Sequence, residues 1–64
     1  MEEYIVSLRF ECGFSVEALT VSAPDDAMAV RAAIDQCCAT YKGEGVAIVH
    51  HRYLPGAIKY NILT

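Results

Sequence analysis

The sequence is most informative at first through what it lacks. It has three cysteines, an odd number, and no CxxC spacing, so no disulfide framework is available to staple the fold. No stretch approaches the roughly 18 consecutive apolar residues of a membrane helix. MEEYIVSLRF opens on acids and passes straight into alternation, the opposite of a basic, apolar secretory leader. A reduced, cytoplasmic compartment is therefore expected, with no membrane association. Positive charge is scarce as well: five Lys and Arg against eight Asp and Glu give a net charge of −3. That balance argues against direct nucleic-acid binding, where a basic face is the expected footprint. Internal repeats, linkers and low-complexity runs are absent, and residues 1–64 read as a single α+β domain.

What the chain does have is apolar surface. A hydrophobic fraction of 55% exceeds the usual share, and a chain this short buries only about 60% of its unfolded surface. Some apolar residues must therefore remain outside.

Residues 3–12, EYIVSLRFEC, alternate with a period of two: Tyr4, Val6, Leu8, Phe10 and Cys12 on one face, Glu3, Ile5, Ser7, Arg9 and Glu11 on the other. A loop of Gly13, Phe14 and Ser15 leads into a second strand over 15–22. This register pairs Cys12 with Val16 and Phe10 with Ala18. It also sets Glu11 against Glu17, which is unfavourable; a bulge near Ala18 and Leu19 is the alternative. Pro24 suits a first helical turn, and Asp25 and Asp26 oppose the helix dipole. An Ala-rich helix is expected to run to Tyr41 and stop at Lys42-Gly43. Its core stripe is Ala27, Val30, Ile34, Cys37 and Tyr41, with Met28, Ala29, Ala32, Gln36 and Ala39 forming a smooth outer side.

Residues 46–53 and 57–63 read as two further strands around a Pro55-Gly56 turn, with Arg52 facing Lys59 and His51 facing Tyr60. The expected fold is β-β-α-β-β: one four-stranded, mainly antiparallel sheet with a single helix packed on one face. A right-handed β2–α–β3 crossover sets those two strands parallel. One helix covers one sheet face, so the opposite face is open. On these registers it carries Ile5, Leu19, Val21, Val46, Ile48 and Leu63, a patch apolar enough to mark an interface.

The chemistry-bearing residues are few. His50 and His51 are strand neighbours and point to opposite sides, so they cannot share one metal ion. A zinc site would have to combine Cys12, Cys37, His51 and a fourth ligand, without the paired short spacing such sites show. Cys37 or Cys38 near His51 is the minimum for a thiol enzyme, yet the thiols lie in or beside an apolar stripe. KGEG at 42–45 follows a helix and reads as a cap, not a phosphate cradle. The sequence therefore implies no cofactor, no metal and no enzyme.

The first expectation is a non-enzymatic protein-binding module using the open sheet face, the smooth Met28/Ala32 helix face or an edge strand, with Ile5, Arg9, Leu19, Val21, Ile48, His50, Arg52 and Lys59 as the open-face contacts. A homodimer is the simplest use of such a face. By size, charge and lack of motifs, the chain looks like the small proteins phages use to block host enzymes, anti-CRISPR proteins among them. That likeness is one of type and is carried by no residue. It implies an inhibitor of a nucleic-acid-handling complex, by steric blocking or by acidic DNA mimicry through Glu2, Glu3, Glu11, Glu17, Asp25, Asp26 and Asp35. The second expectation is an anionic-ligand or nucleic-acid binder using Arg9, His50, Arg52 and Lys59. A Cys/His enzyme is the third.

Overall fold

A computed structural model describes residues 1–37 and 43–63. The chain order is β1 (Glu2–Phe10), β2 (Ser15–Ala23), α1 (Asp26–Cys37), β3 (Glu44–His51) and β4 (Ile58–Leu63), the expected β-β-α-β-β. The sheet order is β2-β1-β3-β4, and every neighbouring pair is antiparallel. Since β1 opposes both of its neighbours, β2 and β3 point the same way, with β1 between them. The core lies under the helix. Val6, Leu8 and Phe10 of β1 meet Val21 and Ala23 of β2, Ala47 and Val49 of β3, Ile62 of β4, and Ala29, Val30 and Ala33 of α1.

The first hairpin differs from the expected register. Gly13 donates to the Phe10 carbonyl at 3.0 Å and Phe10 donates to that of Phe14 at 2.9 Å. The loop is therefore Glu11-Cys12-Gly13, with Gly13 at φ +100° supplying the left-handed residue that such a turn requires. Arg9 pairs with Ser15, Leu8 with Val16, and then Val6 with Leu19, so β2 carries one extra residue opposite Ser7. The bulge sits at Ala18, whose φ is +56° and whose N–H donates to Ser7 Oγ at 3.3 Å. Glu11 and Glu17 no longer face each other, and Cys12 is exposed at the loop instead of lying on the buried face.

Energetics explain why the bulge wins. A left-handed alanine costs about 1–2 kcal/mol. Without it, Leu19 and Val21 would face away from the helix, forfeiting roughly 1.5–3 kcal/mol for each buried side chain. With it, Val21 is 3% exposed and Leu19 packs against the core. The expectation that Leu19 and Val21 lie on the open face is thus corrected: past the bulge, that face carries Thr20 and Ser22.

The helix also departs in detail. Pro24 precedes it, and Asp25 is the cap: its Oδ1 accepts from Met28 N–H at 2.8 Å and its carbonyl from Ala29 N–H at 3.0 Å. The buried stripe is Ala29, Val30 and Ala33, with Ile34 and Ala32 packed beside it and Ala27 exposed. Alanines lack bulk at the contact and let the helix approach the sheet closely, so larger neighbours straddle the contact instead of centring it. Ala29 and Ala32 therefore leave the expected outer face. The expectations for the Cys37 side chain and for Cys38, Ala39, Tyr41 and Lys42 lie outside the described residues.

The second hairpin closes on Val49 and Ile58, with Ile48 opposite Lys59 and Ala47 opposite Tyr60. The expected pairs, Arg52 with Lys59 and His51 with Tyr60, are displaced by an even step, so His51, Lys59 and Tyr60 keep their faces but change neighbours. Tyr53, expected on the core face, lies beyond the end of β3 and is exposed. A tight Pro55-Gly56 type II turn would splay the strands. Instead a wider loop passes through Gly56 at φ +103°. The released end of β3 pairs with β1, Tyr4 opposite His51, and Arg52 N–H donates to the Glu3 carbonyl at 3.0 Å.

Candidate functional site

Because odd-numbered β1 residues and even-numbered β3 residues point away from the helix, the uncovered face has Ile5, Ser7 and Arg9 beside Val46, Ile48 and His50. Lys59, Asn61 and Leu63 of β4 complete it. Ile48 is 39% exposed on this face. A groove of about 650 Å³ crosses all four strands, lined by Arg9, Glu17, Ala18, Val46, Ile48 and Lys59 among others. The bulge forms one wall. Its floor is the aliphatic pair on β3.

The cations on this face divide into two kinds. Arg52 is engaged: its guanidinium donates to Glu3 Oε2 at 2.9 Å and lies 5.4 Å from the Tyr53 ring centroid. Tyr53 O–H donates to the same carboxylate oxygen at 3.2 Å. Arg9 and Lys59 have no carboxylate within ion-pair distance among the described residues. Expected to stand together, Arg52 and Lys59 are separated, and the cations that share the groove are Arg9 and Lys59.

On the opposite side, His51 closes the end of the sheet. Tyr53 N–H donates to its Nδ1 at 3.0 Å, which leaves Nε2 to carry the proton donated to Glu2 Oε2 at 2.7 Å. Tyr4 meets the ring edge-on at 5.3 Å. The hydrogen bond from His51 is the leading cause that holds the Glu2 carboxyl below its ordinary range. Partial burial, with Asp26, Glu2 and Asp25 nearby, pushes the Tyr4 phenol up; Tyr60 is raised by burial and by its hydrogen bond to Asp26. His50 points to the other side, where its Nδ1–H donates to the His51 carbonyl at 3.2 Å. His51 is thus the clasp joining β3 to β1 on the helix side, while His50, on the other face, bonds only within its own strand among the described residues.

Among the described residues the other candidate constellations are not assembled, and the parts that need the Cys37 side chain or Cys38 lie outside them. Cys12 follows the far end of β1 and His51 pairs with its near end, about 25 Å away at roughly 3.3 Å per strand residue. Among the described residues, no group of three His, Cys, Asp or Glu side chains gathers around a common point. The acidic residues fall into separate places. Glu2, Glu3, Asp25 and Asp26 lie at one end of the sheet, and Glu11 and Glu17 at the other, while the exposed Asp35 is on the helix. Glu2 and Glu3 are already paired, and Asp25 is occupied as the cap.

Sequence reasoning missed Ser7 as the acceptor that anchors the bulge, Asp25 as a specific cap and Glu3 as the partner of Arg52. The one signal for the first was the repulsive Glu11–Glu17 pairing of the unbulged register. No helix among the described residues is long and apolar enough to cross a membrane. No family model matches the chain, and neither a curated protein nor a solved structure matches it.

Proposed function

We propose that this chain is a non-enzymatic protein-binding module that engages its partner through the open face of the sheet. The observation that carries this reading is the aliphatic floor of half-buried Val46 and exposed Ile48, set in a groove on the face the helix leaves uncovered. Contiguous apolar surface of this kind marks interfaces. In the steric form of the inhibitor reading, the face would block a site on a nucleic-acid-handling complex. The acidic-mimicry form draws no support, because the carboxylates lie at two ends and several are internally paired. A second copy of the chain is the other candidate occupant of the face.

The test is retention of a partner from a bacterial lysate on immobilised wild type, Ile48→Glu and the helix-surface control Asp35→Lys, each confirmed folded by circular dichroism. A stoichiometric partner held by wild type and control but lost by Ile48→Glu is the expected result. Equal retention by all three would remove the open face from the interaction. Sedimentation of the free proteins separates self-association, which Ile48→Glu would abolish.

A further inference from the structure

Resting on the open-face reading, we infer that the segment bound there is an acidic amphipathic helix. In an acidic chain of net charge −3, the groove holds Arg9 and Lys59, neither of which has a carboxylate partner among the described residues. Their arrangement is diagonal. Arg9 on β1 neighbours Val46 on β3, and Ile48 on β3 neighbours Lys59 on β4. With strands about 4.8 Å apart and about 3.3 Å per residue, the two cations stand roughly 12 Å apart at their backbones, with the aliphatic floor between them.

The backbone of the occupant follows from the direction of the groove. Lying over a sheet face and across the strands, a segment finds no strand edge with which to pair. Its own N–H and C=O groups must then be satisfied internally, as a helix does. The four strands span about 14 Å between outer axes, which is about nine residues of helix at 1.5 Å each. Apolar side chains at helical spacing would sit on Val46 and Ile48, with carboxylates on the flanks reaching Arg9 and Lys59. Glu17 stands at the bulge wall, where it disfavours acidic side chains, so the carboxylates are directed to the Arg9 and Lys59 corners.

The experiment uses a fluorescein-labelled, alanine-based helical peptide with a leucine stripe flanked by glutamates, and two twins in which glutamine or lysine replaces glutamate. Anisotropy titrations at low and high salt are paired with amide chemical-shift mapping on the full chain. The expected result is binding of the acidic peptide alone, weakening with salt, with shifts centred on Arg9, Val46, Ile48 and Lys59. Arg9→Glu combined with Lys59→Glu should weaken it about tenfold, which is the scale of two exposed ion pairs lost and reversed. Equal binding of the glutamine twin, shifts elsewhere or no binding of the acidic peptide would overturn the inference. So would displacement by a random oligonucleotide at equal charge, which would make the face a general anion binder. The two failures are separable: a lysate partner lost by Ile48→Glu but kept by the double charge reversal leaves the open-face reading intact and removes the acidic helix.

Discussion

Val21→Glu and Ile48→Glu form the sharpest test of the bulged register, because both are β-strand aliphatics and only the bulge sets them on opposite faces. Stability of about 0.05–0.15 kcal/mol per residue gives this 64-residue chain roughly 3–10 kcal/mol in total. Val21 is 3% exposed beneath the helix. Replacing it forfeits about 1.5–3 kcal/mol of burial and adds several more for an unpaired buried carboxylate. That sum takes most or all of the available stability. Ile48 is 39% exposed, and its cross-strand neighbour is Lys59, so a carboxylate there recovers about 0.2–1 kcal/mol of pairing against the lost apolar contact. Urea unfolding followed by circular dichroism should therefore show no cooperative transition for Val21→Glu and a midpoint within about 1 kcal/mol of wild type for Ile48→Glu. A folded Val21→Glu with a near-native midpoint would mean that β2 has the opposite parity, and the reasoning from the bulge would fail.

Gly45→Ala should destabilise by about 1–3 kcal/mol through overpacking. Its Cβ would lie 2.6 Å from the Arg9 carbonyl oxygen, which is backbone, and 2.9 Å from Phe10 Cδ1; an unchanged urea midpoint would refute this. The depressed Glu2 carboxyl contributes stability that is fully present above the unfolded carboxyl value, about 4.3, and lost as pH falls through the lower folded value. Glu2→Gln should flatten the acid limb of the urea midpoint against pH, and an acid limb identical to wild type would show that the His51 contact does not persist in solution.

The alternation of β1 was legible because Tyr4, Val6, Leu8 and Phe10 form an uninterrupted period-two run, and the element order followed from it and from the capping acids. β2 was legible only through the alternative reading, the bulge near Ala18 and Leu19, which is the one that forms; a pattern of apolar residues fixes the period of a strand but not its phase across an inserted residue. SVEALTVS has aliphatics at both parities, and only the contact with the helix decides between them. An even slip in the second hairpin is equally silent: moving the partner of Lys59 from Arg52 to Ile48 preserves the faces of the strand residues, but not the cation pair, nor Tyr53, which was expected on the core face and instead lies exposed beyond β3 with its hydroxyl on Glu3. The helix face was misjudged because Ala29 and Ala33 score as weakly hydrophobic, while their lack of bulk is what puts them against the sheet. For the candidate site, Ile5, Arg9, Ile48, His50 and Lys59 remain on the open face. Arg52 also remains there, committed to Glu3, and Leu19 and Val21 leave it.

These corrections act together on what the open face can bind. Without the bulge it would carry aliphatics on β2, β1 and β3, a broad sticky surface on a net-acidic chain. By turning Leu19 and Val21 inward, Ala18 feeds the thin core and leaves Thr20 and Ser22 outside, so the apolar surface contracts to the β3 row, Ile5 and, at the far end of β4, Leu63. The slip in the second hairpin then exchanges a repulsive Arg52–Lys59 pair for Ile48 beside an unpaired Lys59. A narrow aliphatic row bracketed by cations on the strands either side distinguishes partners by charge as well as by apolar contact. A bare apolar sheet face could not. The residue that secures the fold therefore also sets the breadth of the face, and disturbing the bulge should alter both stability and partner choice.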